Sequence, residues 1–189
     1  KGYGFADRQS GNRTDSQSLF RIASVSKLIT ATAVLKLVEM GKLSLDQVVF
    51  GPYGILNDTL FWNARDQRVY DITVRHLLLH RGGWTTHWGD QMFMPGVVSR
   101  QQGLDHPPDL EEIVVWVLSK KLHFSPGMAT SYSNLGYSIL GLVIEKASGM
   151  DYETFVCSRI LFPLGVNDMV LARNLPEGRV PHEVTYYPA

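Results

Sequence analysis

The segment from Ser24 to Met40 constrains the fold most, because it gives the strongest helix prediction in the chain. Alanine, leucine, isoleucine and valine dominate this segment, and Gly41 follows it at a position where glycine commonly ends a helix. Apolar residues fall on nearly every side of the predicted helix, as they do in helices that lie in the middle of a domain. The sequence therefore predicts a buried central helix.

Four more helices are predicted from apolar spacing and from the residues at their ends. Asp109, with Glu112 three residues later, forms a capping box, and Gly149 stands where a helix should end. The predicted helices cover Thr73–His80, Asp109–Lys121, Asn134–Ala147 and Asp151–Leu161.

Strands are few by comparison. Residues 2–7 fit a glycine-rich strand, 8–16 a polar turn, and 19–22 a second short strand or an approach to the first helix. A lone hairpin is marginally stable in water, so either the fold is mainly helical or further strands lie outside these 189 residues. Residues 50–71 and 82–108 are predicted to be mostly irregular, and loops of that length are usually functional.

Composition excludes several classes of protein. The chain carries 18 basic and 18 acidic residues, so no overall charge attracts nucleic acid or an anionic membrane. A single cysteine, Cys157, excludes an internal disulfide framework and cysteine-rich zinc modules, and it is predicted to be a small core residue. No apolar run reaches the roughly 18 residues that span a bilayer.

The first candidate for chemistry is Ser24-Val25-Ser26-Lys27, at the start of the predicted central helix. Residues three apart share a helix face, so the Lys27 amine can reach the Ser24 hydroxyl. Backbone N–H groups at a helix N-terminus can stabilise an oxyanion, and serine with lysine is a known nucleophile–base pair. The spacing leaves another interpretation open, in which Ser24 only caps the helix and Lys27 extends to solvent.

The second candidate is Tyr132-Ser133-Asn134, which lies between a Ser-Pro-Gly turn at 125–127 and a predicted helix. A tyrosine on a turn could act as a general base beside the serine, and the asparagine carboxamide could hold a substrate amide or ester. In the alternative interpretation, Tyr132 is a packed aromatic residue and Asn134 is a helix N-cap.

Three stretches carry a family resemblance: LFRIASVSKLITATAVLKLVEMGKLSLD at 19–46, HLLLHRGG at 76–83, and HFSPGMATSYSNLGYSILGLVIEKASGMDYETFVCSRILFPLGVNDM at 123–169. In this order and spacing they resemble the β-lactamase-like serine hydrolases, especially class C β-lactamases, DD-peptidases and family VIII esterases. The resemblance is specific at Ser24-x-x-Lys27, at Tyr132-x-Asn134 and at the turn over residues 41–45.

The resemblance implies an α+β fold of the β-lactamase and transpeptidase type, in which a helical region packs on part of an antiparallel sheet. It implies that Ser24 is the acylated nucleophile and Lys27 its activating partner. Tyr132 would deprotonate Ser24 and later activate water, and Asn134 would contact the substrate. No cofactor and no metal is expected.

The sequence departs from the family pattern in two places. No Lys-Thr-Gly or matching His-x-Gly motif follows Asn134, although the family carries one on a later strand. We therefore expect residues 1–189 to be an incomplete β-lactamase-like domain, with its first and last strands and the second oxyanion-hole N–H outside them. Arg81, in His80-Arg81-Gly82-Gly83, stands where relatives often have the threonine of His-Thr-Ser-Gly, and the sequence offers no reason for it.

Other candidate sites are weaker. His76 and His80 lie four residues apart, a spacing that can bind zinc, but the glutamate of the H-E-x-x-H pattern is absent and a structural pair is expected. The following loop carries Trp84, His87 and Trp88, which could line a substrate cleft or pack as a lid. The G-x-S-x-G elbow of α/β-hydrolases fails at the last position of residues 136–140.

The sequence thus predicts a serine hydrolase that cleaves an amide, lactam or ester bond through a Ser24 acyl-enzyme. The alternative is a catalytically silent relative with the same fold that serves as a binding or scaffold protein. A small-molecule or peptide substrate is expected, with no nucleic acid and no membrane span.

Overall fold

The computed structural model describes residues 1–87, 89–173 and 178–187. Its contacts divide the chain into two compact units. Unit 1 combines Lys1–Ser26 with Asp168–Ala189, and unit 2 is the continuous segment Lys27–Asn167.

Unit 1 contains a small antiparallel sheet, in which β1 (Phe5–Asp7) pairs with β2 (Asn12–Arg13). The second strand therefore lies in the segment predicted to be a polar turn, because Gly11 takes a positive φ of 75° and lets the chain reverse early. Residues 19–22 are not a strand beside β1: Leu19 forms a single bridge with Glu183 instead.

Six α-helices lie within the described residues. They are α1 (Ser26–Glu39), α2 (Val74–Leu78), α3 (Pro95–Gln102), α4 (Leu110–Leu118), α5 (Asn134–Ser148) and α6 (Tyr152–Val156). The five predicted helices are confirmed: four have shorter bounds, α5 is one residue longer, and the last continues as a π-helix over Cys157–Leu161. The sixth, α3, lies in a stretch predicted to be irregular, although Pro95 at its start and Gly103 (φ 69°) after its end are ordinary helix boundary signals.

Helix α5 is the main packing element of unit 2. It contacts α2, α4 and α6, and its buried residues recur on one face. Those residues are Leu135, Gly136, Ile139, Leu140, Val143 and Ile144. The Ser133 hydroxyl caps its start by accepting the Gly136 N–H (2.9 Å).

Helix α1 is not buried on all sides, so that prediction is wrong for the described chain. Leu28 is 70% exposed and Leu35 is 52% exposed, whereas Ala33, Val34 and Leu37 are fully buried. The described residues pack against only one face of the helix. Its end is as predicted, because Gly41 takes a positive φ of 68° and the chain closes the last turn there.

The stretch 50–71 contains no α-helix, as predicted, but it includes the 3₁₀ helices Thr59–Phe61 and Gln67–Asp71 and is well packed around Asp66. The Asp66 carboxylate accepts hydrogen bonds from the backbone and guanidinium of Arg68 and from the Leu122 N–H (3.0 Å). The Arg68 guanidinium also donates to the Ser125 hydroxyl (3.1 Å), in the turn that precedes Tyr132. These donors hold the pKa of Asp66 well below its usual range.

Replacing Asp66 with alanine should lower the free energy of unfolding at pH 7 by about 1–3 kcal/mol, because several donors lose their acceptor. A depressed carboxyl pKa stabilises the fold above the ordinary value of about 3.9 and loses that effect as the pH falls. The difference between wild type and variant in urea unfolding should therefore shrink in acid. Asp71→Ala, at an exposed position in the 3₁₀ helix (Gln67–Asp71) whose N-cap is Asp66, should change stability by less than about 0.5 kcal/mol. An Asp66 effect that is equal at pH 7 and pH 3 would contradict this account.

Candidate active site

Lys27 lies half-buried in the first turn of α1 and contacts both residues of the Tyr-x-Asn motif. Its Nζ atom donates to Oδ1 of Asn134 (2.6 Å) and lies 4.7 Å from the centroid of the Tyr132 ring. The ring of Tyr137 is also near, at 5.7 Å. Unit 2 therefore brings together Lys27, Tyr132 and Asn134, although more than a hundred residues separate the lysine from the motif.

The Asn134 carboxamide has a fixed orientation. Its Nδ2 donates to Oδ2 of Asp90 (2.7 Å), while its Oδ1 accepts from Lys27. A lysine ammonium can only donate and a carboxylate can only accept, so the amide cannot turn over without losing both bonds. Asp90 is itself held, because its Oδ1 accepts the Met92 N–H (3.0 Å) at the start of a short 3₁₀ helix.

Tyr132 lies two residues before α5, and its side chain is about half exposed. The helix cap is Ser133, so the alternative that Asn134 is the N-cap is wrong: Asn134 is the first residue of the helix. Asn134, in the first turn of α5, and Tyr132, two residues before it, therefore both contact Lys27.

His80 packs against the tyrosines of this site. Its ring centroid lies 4.7 Å from that of Tyr132 and 5.0 Å from that of Tyr137. Its Nδ1 accepts the Ser133 N–H (3.1 Å). Burial and the charge of Lys27 lower the pKa of His80 below the ordinary histidine value.

Sequence reasoning missed Asp90 and Tyr137. Tyr137 lies three residues after Asn134 on α5, so helical spacing could have placed it near the site. Its hydroxyl donates to the Leu78 carbonyl (3.1 Å), and burial raises its pKa. No local pattern marks Asp90 as the partner of a residue 44 positions later in the chain.

Ser24 belongs to unit 1 and precedes the α-helix rather than lying within it. It is exposed in a 3₁₀ turn over Ala23–Val25, and α1 begins at Ser26. Ala23 has a positive φ of 45°, an uncommon conformation for a residue with a Cβ. The three-residue spacing between Ser24 and Lys27 in the sequence remains the basis for pairing their side chains.

Arg81 now has a structural explanation. Its guanidinium donates to the Gly127 carbonyl, and the Gly127 N–H returns a bond to the Arg81 carbonyl (2.9 Å). These two bonds connect the residues just after α2 to the turn that leads into Tyr132.

The remaining candidates from the sequence are the histidine at position 76 and the residues of the loop after α2. His76 Nδ1 accepts the Thr73 N–H (3.3 Å) as part of a capping box, and the described residues contain no group of three or more potential metal ligands. Trp84 is buried, His87 is exposed, and Trp88 lies outside the described residues.

Cys157 is half-buried at the start of the π-helix rather than fully in the core. Burial raises the pKa of its thiol, which disfavours the reactive thiolate. Among the described helices, none has the length and apolar character needed to cross a bilayer.

Comparison with known proteins places these residues in a family. The family model described as beta-lactamase matches residues 1–188. The chain is 33% identical to the esterase EstB of Burkholderia gladioli over 183 residues, which cover 92% of this chain and 44% of the esterase. It spans less than half the length of the curated relatives it matches.

Solved structures of penicillin-binding and amidase proteins have the same fold as this chain. The octameric penicillin-binding protein homologue from Pyrococcus abyssi superposes with a TM-score of 0.68 at 31% identity, over 88% of this chain and 36% of that one. A D-amino acid amidase from Ochrobactrum anthropi SV3, complexed with L-phenylalanine amide, gives a TM-score of 0.62 at 29% identity, over 86% and 41%. The predicted fold class is confirmed as that of β-lactamases and penicillin-binding proteins, and the chain belongs to the beta-lactamase family.

Proposed function

We propose that this protein is a serine hydrolase that cleaves an amide, lactam or ester bond through an acyl-enzyme on Ser24. The observation that carries the proposal is the convergence of Lys27, Tyr132 and Asn134, in which the lysine Nζ lies 2.6 Å from the amide oxygen and 4.7 Å from the tyrosine ring. The names of the relatives, an esterase, a penicillin-binding protein homologue and an amidase, support this class of reaction.

In the proposed first step, the Ser24 oxygen attacks the substrate carbonyl carbon. Tyr132 acts in its deprotonated form: its phenolate oxygen takes the serine proton, becomes a neutral phenol, and returns to the phenolate when it passes the proton to the leaving nitrogen or oxygen as that bond breaks. The positive charge of Lys27, 4.7 Å from the ring centroid, favours the phenolate form in which Tyr132 can accept that proton.

In the second step, water attacks the acyl-enzyme carbonyl. Tyr132 accepts a proton from that water, and the Ser24 oxygen leaves and takes the proton back. The products are a carboxylic acid and the regenerated hydroxyl, so the serine, the lysine and the tyrosine all return to their starting states.

Asn134 is proposed to bind the substrate while holding Lys27. One hydrogen of its amide nitrogen is used by Asp90 and one lone pair of its oxygen by Lys27. The second hydrogen and the second lone pair can still engage a substrate amide or ester group.

Asp90 should matter to turnover because it fixes the Asn134 amide. Asp90→Ala is expected to lower kcat/KM about tenfold, the effect of losing a charge-assisted hydrogen bond of roughly 1.5 kcal/mol. Asp90→Asn, nearly the same in shape, should show most of that loss, because one amide oxygen cannot serve both Met92 and Asn134. Asp105→Ala, an exposed acid in the same part of the chain, is the control. Full activity in both Asp90 variants would contradict the positioning role.

The proposal is tested by exposing the full-length protein to a fluorescent penicillin and to p-nitrophenyl esters. Covalent labelling of the peptide that contains Ser24, or ester turnover, supports a hydrolase. A folded protein that neither becomes labelled nor turns over either probe would favour the binding or scaffold alternative. That further strands complete the sheet stays a prediction. It is tested by comparing the ester turnover and the stability of residues 1–189 with those of the full-length protein, and full turnover by residues 1–189 alone would contradict it.

A further inference from the structure

The segment that carries Tyr132 is held at two points by His80. The His80 carbonyl accepts the Ser131 N–H (2.9 Å), and its Nδ1 accepts the Ser133 N–H (3.1 Å). The two bonds flank Tyr132, whose ring packs against the imidazole at 4.7 Å between centroids. We propose that His80 is a positioning residue that holds the Tyr132–Asn134 segment in place, and that it does so only while Nδ1 is unprotonated.

The backbone of His80 is consistent with this role. Its φ is 57°, in the left-handed region that residues with a Cβ seldom occupy. Helix α2 ends at Leu78, so His80 is not continuing the helix in which sequence reasoning placed it. Strained backbone of this kind is retained where the surrounding structure requires it, often at functional sites.

The bond to Ser133 requires one protonation state. A backbone N–H is only a donor, so His80 Nδ1 must offer a lone pair to accept from it. Protonation would bring two donors face to face and remove one of the two bonds that flank Tyr132. The part of the segment at Tyr132 would then keep only the Ser131 bond and the ring packing, while Asn134 would keep its bonds to Lys27 and Asp90.

The groups around the imidazole favour the unprotonated form near neutral pH. Among the described residues, the titratable and charged groups that face it are Lys27 from α1, Tyr132 from the segment that leads into α5, and Tyr137 from α5 itself. The positive charge of Lys27, together with burial, lowers the pKa of His80. The Ser133 bond is therefore present at neutral pH and is lost as the pH falls through that lowered pKa.

Because the role concerns Tyr132, the proposal rests on the proposed hydrolase function, and it is tested with two variants of the full-length protein. His80→Asn keeps an acceptor close to the Nδ1 position, tolerates a positive φ and does not titrate. His80→Ala removes the acceptor and the ring. His106→Asn, on the exposed surface, is the control. The readouts are p-nitrophenyl ester turnover against pH and the Ser133 amide resonance in a ¹⁵N-labelled sample.

We expect His80→Asn to retain kcat within about threefold at neutral pH. We expect His80→Ala to lose roughly 10- to 100-fold in kcat, with a smaller change in KM, because a misplaced catalytic group slows the reaction more than it weakens substrate binding. When log kcat is plotted against pH, the slope of the acid limb should be greater by one unit for the wild type than for His80→Asn, because one more protonation inactivates the wild type. In the wild type, the Ser133 amide resonance should shift with the same midpoint as the His80 ring.

Two results would overturn the proposal: a folded His80→Asn protein as impaired as His80→Ala, or a Ser133 amide that does not respond when the imidazole titrates. The resonance measurement needs no turnover. If the wild type hydrolyses nothing, the hydrolase proposal fails on its own, while the His80–Ser133 coupling is still decided by the amide resonance.

Discussion

Replacing Ser24 with alanine is expected to abolish covalent labelling by the fluorescent penicillin and to lower ester turnover by roughly 10⁴-fold or more. The alanine side chain has no oxygen that can form the acyl-enzyme, so the reaction loses its covalent route rather than one supporting contact. Any residual turnover would come from substrate binding and electrostatic stabilisation by the other groups of the site. Mass spectrometry of the labelled wild-type peptide and steady-state kinetics measure the two effects.

Ser26→Ala is the matched control, because Ser26 lies two residues away at the start of α1. Ser24 is exposed, so its replacement should leave the circular dichroism spectrum and melting temperature close to those of the wild type. A folded Ser24→Ala protein that still forms the adduct, or an adduct found on Ser26, would rule out Ser24 as the nucleophile.

Replacing Tyr132 with phenylalanine should lower kcat by roughly 10²- to 10⁴-fold, the range expected for the loss of a general base. The substitution removes only the hydroxyl. The ring that packs against His80 and lies beside the Lys27 ammonium remains, so a loss of activity reports on proton transfer rather than on packing. Steady-state kinetics with the p-nitrophenyl ester give kcat and KM separately, and KM should change much less than kcat.

Tyr137→Phe makes the same chemical change in the neighbouring ring. It removes the hydrogen bond to the Leu78 carbonyl and should cost about 0.5–1.5 kcal/mol of stability, with kcat within a few fold of the wild type. The base assignment would be wrong if Tyr132→Phe kept wild-type kcat, or if the two phenylalanine variants lost activity equally.

The sequence was a good guide to features that depend on neighbouring residues. The capping box of Asp109 and Glu112 marks the start of α4, and Gly149, with a positive φ of 74°, follows the end of α5. Helix α3 was missed because its polar composition hid its Pro95 and Gly103 boundary signals. These features are set by backbone hydrogen bonds within a few residues, which is why short patterns can predict them.

The burial of α1 and the partners of its lysine could not be predicted in the same way. Apolar composition predicted burial all round, but in the described chain Leu28 and Leu35 are exposed. The three-residue spacing predicts that Lys27 lies beside Ser24, whereas its contacts with Asn134 and the Tyr132 ring depend on a segment more than a hundred residues away. No local pattern encodes which distant side chain will face a helix.

The amino-acid sequence by itself determined five of the six described α-helices, the capping box of Asp109 and Glu112, and the serine, lysine, tyrosine and asparagine of the two motifs, because each rests on local spacing and residue chemistry. Only the tertiary structure decided that Asp90 orients the Asn134 amide and that His80 holds the segment around Tyr132. Hydrogen bonds between residues 44 and 53 positions apart form only where helix packing brings donor and acceptor within about 3 Å.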